Sequence, residues 1–171
     1  YNNGSTGYTL LAGTQVTASG VAEQDIITGA VAANGRFALG LAGEYGASHL
    51  QIFLENAGLQ YEYAFANDYI TAIALNQDAS WGAVCTARSD KGEMVSRLTV
   101  FDFAQPEPVV QYETRDNLLL AACWSENGVI YAVGDKALVS GRASEGNFTE
   151  YDYQGRQLTA FQLAANRAFL S

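Results

Sequence analysis

Cationic side chains are scarce in this chain of 171 residues. Lysine occurs only at Lys91 and Lys136, and the arginines are scattered, against 18 acidic residues and a net charge of −9. A clustered cationic footprint, which nucleic acid binding needs, is therefore missing, and an anionic membrane surface is disfavoured for the same reason. The acidity suits solubility instead. No apolar run reaches the ~18 residues of a membrane span, and no signal peptide is visible. The chain begins at Tyr1 rather than Met, so it reads as processed, trimmed or part of a longer protein. With 49% hydrophobic and only 16% charged residues, it has the composition of one globular domain rather than a disordered segment.

Catalytic signatures are equally thin. His49 is the only histidine, with no partner at metal-ligating or acid–base spacing. The two cysteines, Cys85 and Cys123, form no CxxC and sit in apolar patterns, as small buried hydrophobes would; a disulfide between repeats is the alternative. The 17 glycines build no phosphate loop or dinucleotide fingerprint. No G-x-S-x-G elbow is present, and Val139-Ser140-Gly141 reads as a strand end. No cofactor and no metal are expected.

What the chain does have is a repeat. ITAIALNQDASWGAVCT from Ile70 reads as two short strands joined by a polar turn, and similar text starts at Ile27, Leu119 and Leu158. The spacings are 43, 49 and 39 residues, with a mean inside the ~40–50 window of four-stranded propeller blades. Apolar residues alternate or run continuously, and turn signals recur every ~8–12 residues, so no helix competes. The pattern divides residues 1–171 into a half blade (1–19), three blades (20–65, 66–114, 115–154) and a second half blade (155–171). Pro106 and Pro108 fall between the last two strands of the second full blade, where a missing donor does no harm. Arg88 to Arg97 reads as a long charged loop.

Size is graded across each unit. First strands carry small residues, among them Gly29, Ala30, Ala72, Ala74, Ala121, Ala122 and Ala160. Third and fourth strands carry Phe53, Tyr61, Tyr63, Phe65, Phe101, Phe103, Tyr112, Phe148, Tyr151 and Tyr153. A radial array crowds at its axis and splays at its rim, which asks for this grading. The fold class expected is all-β: antiparallel propeller blades, as an arc of a larger ring. A closed ring of four blades and pairing with a second copy are the other arrangements.

The string DYITAIALNQDASWGAVCTA, with SRLTVFDF after it, is similar to WD40-like blades. Together with YNNGSTGYTLL, DIITGAVAANGRFALG and the LQIF strand, it resembles an uncharacterised bacterial family of membrane-anchored β-propeller proteins, a domain of unknown function. The resemblance covers most of the chain but rests on strand-and-turn patterns. It implies an extracytoplasmic location, tethered to the cell membrane by a segment outside this sequence. It supplies no activity.

Asp25, Asp68 and Asp116 each precede a first strand. A ring of carboxylates at a propeller mouth would suit a basic partner, while local turn chemistry explains the same residues. Arg88 and Arg97 bound the charged loop, and loops on rigid scaffolds often carry function. These five are the candidate binding residues. The leading expectation is a non-catalytic platform for a protein or peptide partner or an envelope glycan, with self-association through exposed blade edges. The alternatives are an enzyme of hydrolase or lyase type, its site at the propeller mouth completed by segments outside this chain, and a structural spacer.

Overall fold

The computed structural model describes residues 4–44, 47–164 and 167–170. Parts of three expected segments lie outside these: residues 1–3 of the first turn, 45–46 of the loop after the second strand of the first full unit, and Ser171 at the end of the last strand.

Sixteen strands are described, and every pairing joins sequence neighbours in antiparallel fashion. A hairpin opens the chain, β1 (Gly7–Ala12) with β2 (Gln15–Val21). The first full sheet is β3 (Ile26–Val31), β4 (Phe37–Ala42), β5 (Ser48–Phe53) and β6 (Leu59–Phe65). The second is β7 (Tyr69–Leu75), β8 (Trp81–Asp90), β9 (Glu93–Asp102) and β10 (Val110–Arg115). The third is β11 (Leu119–Trp124), β12 (Val129–Gly134), β13 (Ala137–Arg142) and β14 (Asn147–Asp152). A last hairpin joins β15 (Phe161–Ala164) to β16 (Arg167–Leu170). The fold is therefore all-β with three four-stranded antiparallel sheets, at the places the repeat marks.

Register makes the repeat physical. The first strand of each four-stranded sheet carries a β-bulge near its start, between Ile26 and Thr28, Ile70 and Ala72, and Leu119 and Ala121. Ile26, Ile70 and Leu119 are thus the equivalent residues, and all are almost fully buried. Ile27 is the extra residue of the bulge, which corrects the sequence anchor by one position. Leu158 stands as far beyond Tyr153 as Leu119 does beyond Thr114, but it precedes β15 rather than lying in it. Ala160 also lies outside that strand and is exposed, so it is not a packed first-strand residue.

The expected loop from Arg88 to Arg97 is not a loop. β8 and β9 continue as one long hairpin, pairing down to Asp90 with Glu93. Lys91 and Gly92 close it at φ +53° and +86°, the left-handed pair a two-residue type I′ turn requires. β8 and β9 are ten residues each, longer than the other strands, and Arg88-Ser89-Asp90 and Glu93 at the tip are all polar, so little apolar period is left to read there.

The sheets stack face to face, and the apolar layers lie between them. One layer joins Tyr8 and Leu10 of the opening hairpin to Ile26, Phe37 and Leu41. The next joins Leu50, Ile52 and Phe65 of the first sheet to Ile70, Val84 and Phe101 of the second. A third joins Ala83, Cys85, Leu98 and Val100 to Leu119, Ile130, Ala132 and Val139. The second sheet is covered on both faces, so β7 and the first half of β8 are apolar almost throughout. First strands β3, β7 and β11 lie beside one another, with β15 against β11. Away from them the layers are filled by rings: Tyr63 lies 5.0 Å from Phe101, and Tyr112 lies 5.9 Å from Phe148. Cys85 and Cys123 do not bridge. Cys85 is fully buried, its thiol pushed up to about 12 by burial, while Cys123 is only half-buried.

Candidate functional site

The first strands all begin at one end of the stack, where the second strands finish. In the second sheet this end gathers four charges. Asp68, just before β7, is 5% exposed. Its carboxylate accepts from Arg97 Nη1 at 3.0 Å and from Thr86 Oγ1 at 3.2 Å. Arg88 Nη1 lies 3.6 Å from Asp68 Oδ1, an ion pair too long for a hydrogen bond, and this buried nitrogen has no hydrogen-bond partner among the described residues. Glu113 on β10 accepts from Arg88 Nη2 at 2.8 Å and Arg97 Nη2 at 3.3 Å. Arg97 and Glu113 are direct cross-strand neighbours. Two cations alternate with two anions, so the burial of Asp68 is compensated without a ligand.

Electrostatics follow the geometry. The Arg88 hydrogen bond, ahead of Arg97, holds the Glu113 carboxyl below its ordinary value, and the bond to Glu113 in turn raises Arg88. A second layer sits outside: Arg115 donates to Glu93 at 3.0 Å and Asp90 at 3.2 Å, tying the tip of the β8–β9 hairpin to β10. Because Glu113 has a depressed folded pKa, its contribution is complete above the ordinary carboxylate range and is lost as pH falls through that folded value. Its side chain is 36% exposed, so solvent screening holds the effect under about 1 kcal/mol. Glu113→Gln is expected to separate from the parent in urea midpoint at pH 7 and to converge with it below the ordinary carboxylate range. A gap that stays constant with pH would show that Glu113 does not act through its charge.

The five candidates from sequence divide. Asp68, Arg88 and Arg97 meet in this cluster. Asp25 is exposed and offers its backbone carbonyl to the Ala42 N–H at 2.8 Å. Asp116 is exposed, at φ +57°, and pairs with Lys136 at 2.5 Å. The three aspartates stand one, two and three residues before Ile26, Ile70 and Leu119 respectively. They are at different register positions and form no carboxylate ring, which corrects that expectation. The true counterpart of Asp68 is the buried Asn117, whose Oδ1 accepts from the Lys136 and Ala137 N–H groups at 3.1 Å.

Several polar residues that position this end were not singled out from sequence. Ser48 Oγ donates to the Asp68 carbonyl at 2.6 Å and accepts from the Ile70 N–H at 3.2 Å, and Ser96 Oγ accepts from the Leu119 N–H at 3.3 Å. Each serine thus pins the third strand of one sheet to the first strand of the next. The parallel strings SHLQIF and SRLTVF carried that signal. Glu150 on β14 accepts from Tyr112 at 2.9 Å, Thr114 at 3.0 Å and Asn117 at 3.1 Å, joining the second and third sheets. Burial first, then Glu150, pushes the Tyr112 phenol up to about 12, so it stays a donor. His49 holds in β5 the register of Arg97 in β9, but faces Ala64 across the ladder.

Two open clefts of about 420 and 470 Å³ flank the segment from Gln154 to Leu158, sharing Asp152, Arg156, Gln157 and Leu158. Lys136 lines the larger one but is paired with Asp116. Among the described residues, no group of three or more His, Cys, Asp or Glu side chains is placed to hold a metal ion.

No family model matches the chain, and no curated protein does. Among solved structures it is similar to a functionally unknown protein from Desulfotomaculum acetoxidans DSM 771, with a TM-score of 0.66 and 10% identity. The match covers 96% of this chain and 54% of that one. The chain thus spans about half the length of that protein, and the likeness is one of fold.

Proposed function

We propose that the chain is a run of β-propeller blades forming a non-catalytic platform that presents the β8–β9 hairpin to a protein or peptide partner outside the cytoplasm. A segment outside these 171 residues tethers it to the cell membrane. Radial order is supported by the small-residue first strands lying side by side, with aromatic wedges between the sheets further out.

The observation that carries the platform reading is the hairpin itself. It projects past its neighbours, its root is locked by the Asp68–Arg88–Arg97–Glu113 cluster, and its tip is braced by Arg115. A rigid projection loses little entropy on binding. The charges at its root neutralise one another, which suits contact better than chemistry.

A photo-crosslinking residue placed at Lys91 in intact cells tests this, with Gln77 at the opposite turn as control. The expected result is a discrete protein adduct from position 91 and none from 77. Equal labelling from both, or none from 91, overturns the reading, and an adduct to glycan alone reassigns the ligand.

A further inference from the structure

Among the described residues, two Asn-Gly pairs sit in matching turns. Ala32 to Arg36 joins β3 to β4, and Ser125 to Val129 joins β11 to β12. The same two main-chain bonds close both turns. The first residue's N–H donates to the fifth residue's carbonyl at 2.8 Å, and the glycine N–H donates to the first residue's carbonyl at 3.0 Å. Gly35 and Gly128 take left-handed φ values of +85° and +74°. Asn34 and Asn127 are both exposed. Such a pair holds a reaction in reserve. A deprotonated glycine nitrogen can attack the asparagine side-chain carbonyl, because glycine has no Cβ to obstruct the approach.

The two side chains are held differently. Asn34 is pinned twice: Oδ1 accepts from the Arg36 N–H at 3.1 Å, and Nδ2 donates to the Asp78 carbonyl in the turn of the next sheet at 2.8 Å. In the second turn Ser125 Oγ takes the equivalent N–H, that of Val129, at 3.0 Å. The Asn127 side chain is left without a hydrogen bond among the described residues. Its main-chain carbonyl is engaged instead: Arg142 Nη1, at the end of β13, donates to Asn127 O. That oxygen and the Gly128 nitrogen belong to one peptide group. A guanidinium there stabilises the charge that spreads onto the oxygen when the nitrogen loses its proton. The first turn has no such aid among the described residues, where Arg36 faces Glu55 at 3.9 Å.

We propose that Asn127 is a self-modification site, converted to acid by its own turn with water as the only co-reactant. Hydroxide takes the Gly128 proton, and the Gly128 nitrogen bonds to Asn127 Cγ. The Cγ–Nδ2 bond breaks, and Nδ2 leaves as ammonia with a proton from water, which restores the hydroxide. Water then adds to either carbonyl of the cyclic imide and opens it to aspartate or isoaspartate. Position 127 gains a negative charge beside Glu126. The isoaspartate form also adds a carbon to the main chain of the turn, which loosens the β11–β12 hairpin. The proposal is independent of the platform reading.

Peptide mapping by mass spectrometry tests it, on protein held at neutral and mildly alkaline pH. In the folded protein acid is expected to accumulate at 127 about tenfold faster than at 34 or more, because freeing Asn34 breaks two hydrogen bonds, each worth about 2–10-fold. The rate at 127 should rise with pH. In urea the two rates should converge, since glycine follows both asparagines. Arg142→Gln is expected to slow the reaction at 127 severalfold and leave that at 34 unchanged, with circular dichroism reporting that the variant is folded. Equal rates at the two positions in the folded protein, or no acid at 127, overturn the proposal. So does a folded Arg142→Gln variant that reacts at 127 as fast as the parent.

Discussion

Phe101→Ala is expected to destabilise the chain by about 3–5 kcal/mol, the range for truncating a buried aromatic ring. Phe101 is fully buried. Its ring lies 5.0 Å from Tyr63, 6.0 Å from Tyr61, 6.1 Å from Phe65 and 6.3 Å from Phe103. Three of these four partners come from β6 of the preceding sheet, so the truncation opens a cavity between sheets. The two sheets cannot close on that space without disturbing the Ser48 contact, which ties β5 of the first sheet to β7 of the second. Urea unfolding measures the loss, and an effect below about 1 kcal/mol would mean that the layer repacks freely.

Asp68→Ala is expected to cost about 2–4 kcal/mol. Breaking a buried ion pair by removing one partner costs about 3–5 kcal/mol because the other charge is left uncompensated. Arg88 and Arg97 are 19% and 25% exposed, so water recovers part of that. After the change two guanidinium groups share Glu113 alone, and the Thr86 hydroxyl loses its acceptor. Asp68→Asn keeps an acceptor for Thr86 and copies the residue found at the same register in the third sheet, Asn117. It should lose about half as much. A double-mutant cycle with Arg97→Met is expected to return a coupling above about 1 kcal/mol. Additive effects would mean that the pair is held in place by the sheet and contributes little itself.

The strand plan was legible because burial on one or both faces writes itself into apolar periodicity, and because turns such as Ala33-Asn34-Gly35 punctuate it. Where periodicity lapses, so did the reading. At the tip of β8 and β9, Arg88-Ser89-Asp90 and Glu93 are polar, and Lys91-Gly92 lacks the Asn or Asp that usually marks a type I′ turn, so a hairpin read as a loop. The adjacent isoleucines at 26 and 27 hid the bulge, since either one fits an apolar anchor. Asp68, Arg88 and Arg97 were singled out separately, as part of a carboxylate ring and as the bounds of a loop. Their meeting depends on cross-strand register, and so does the identity of their fourth member. Glu113 shares one face of β10 with Gln111 and Arg115, and nothing local distinguishes it until Arg97 is placed opposite.

The serines at 48 and 96 have a mechanical corollary. Each hydroxyl grips the main chain of the following sheet, and the described sheets lean chiefly on the ones before and after them. Cohesion of this kind accumulates neighbour by neighbour. A tether pulling on the chain would meet resistance first at the outermost hairpins, and failure would travel inward one sheet at a time toward the doubly covered second sheet.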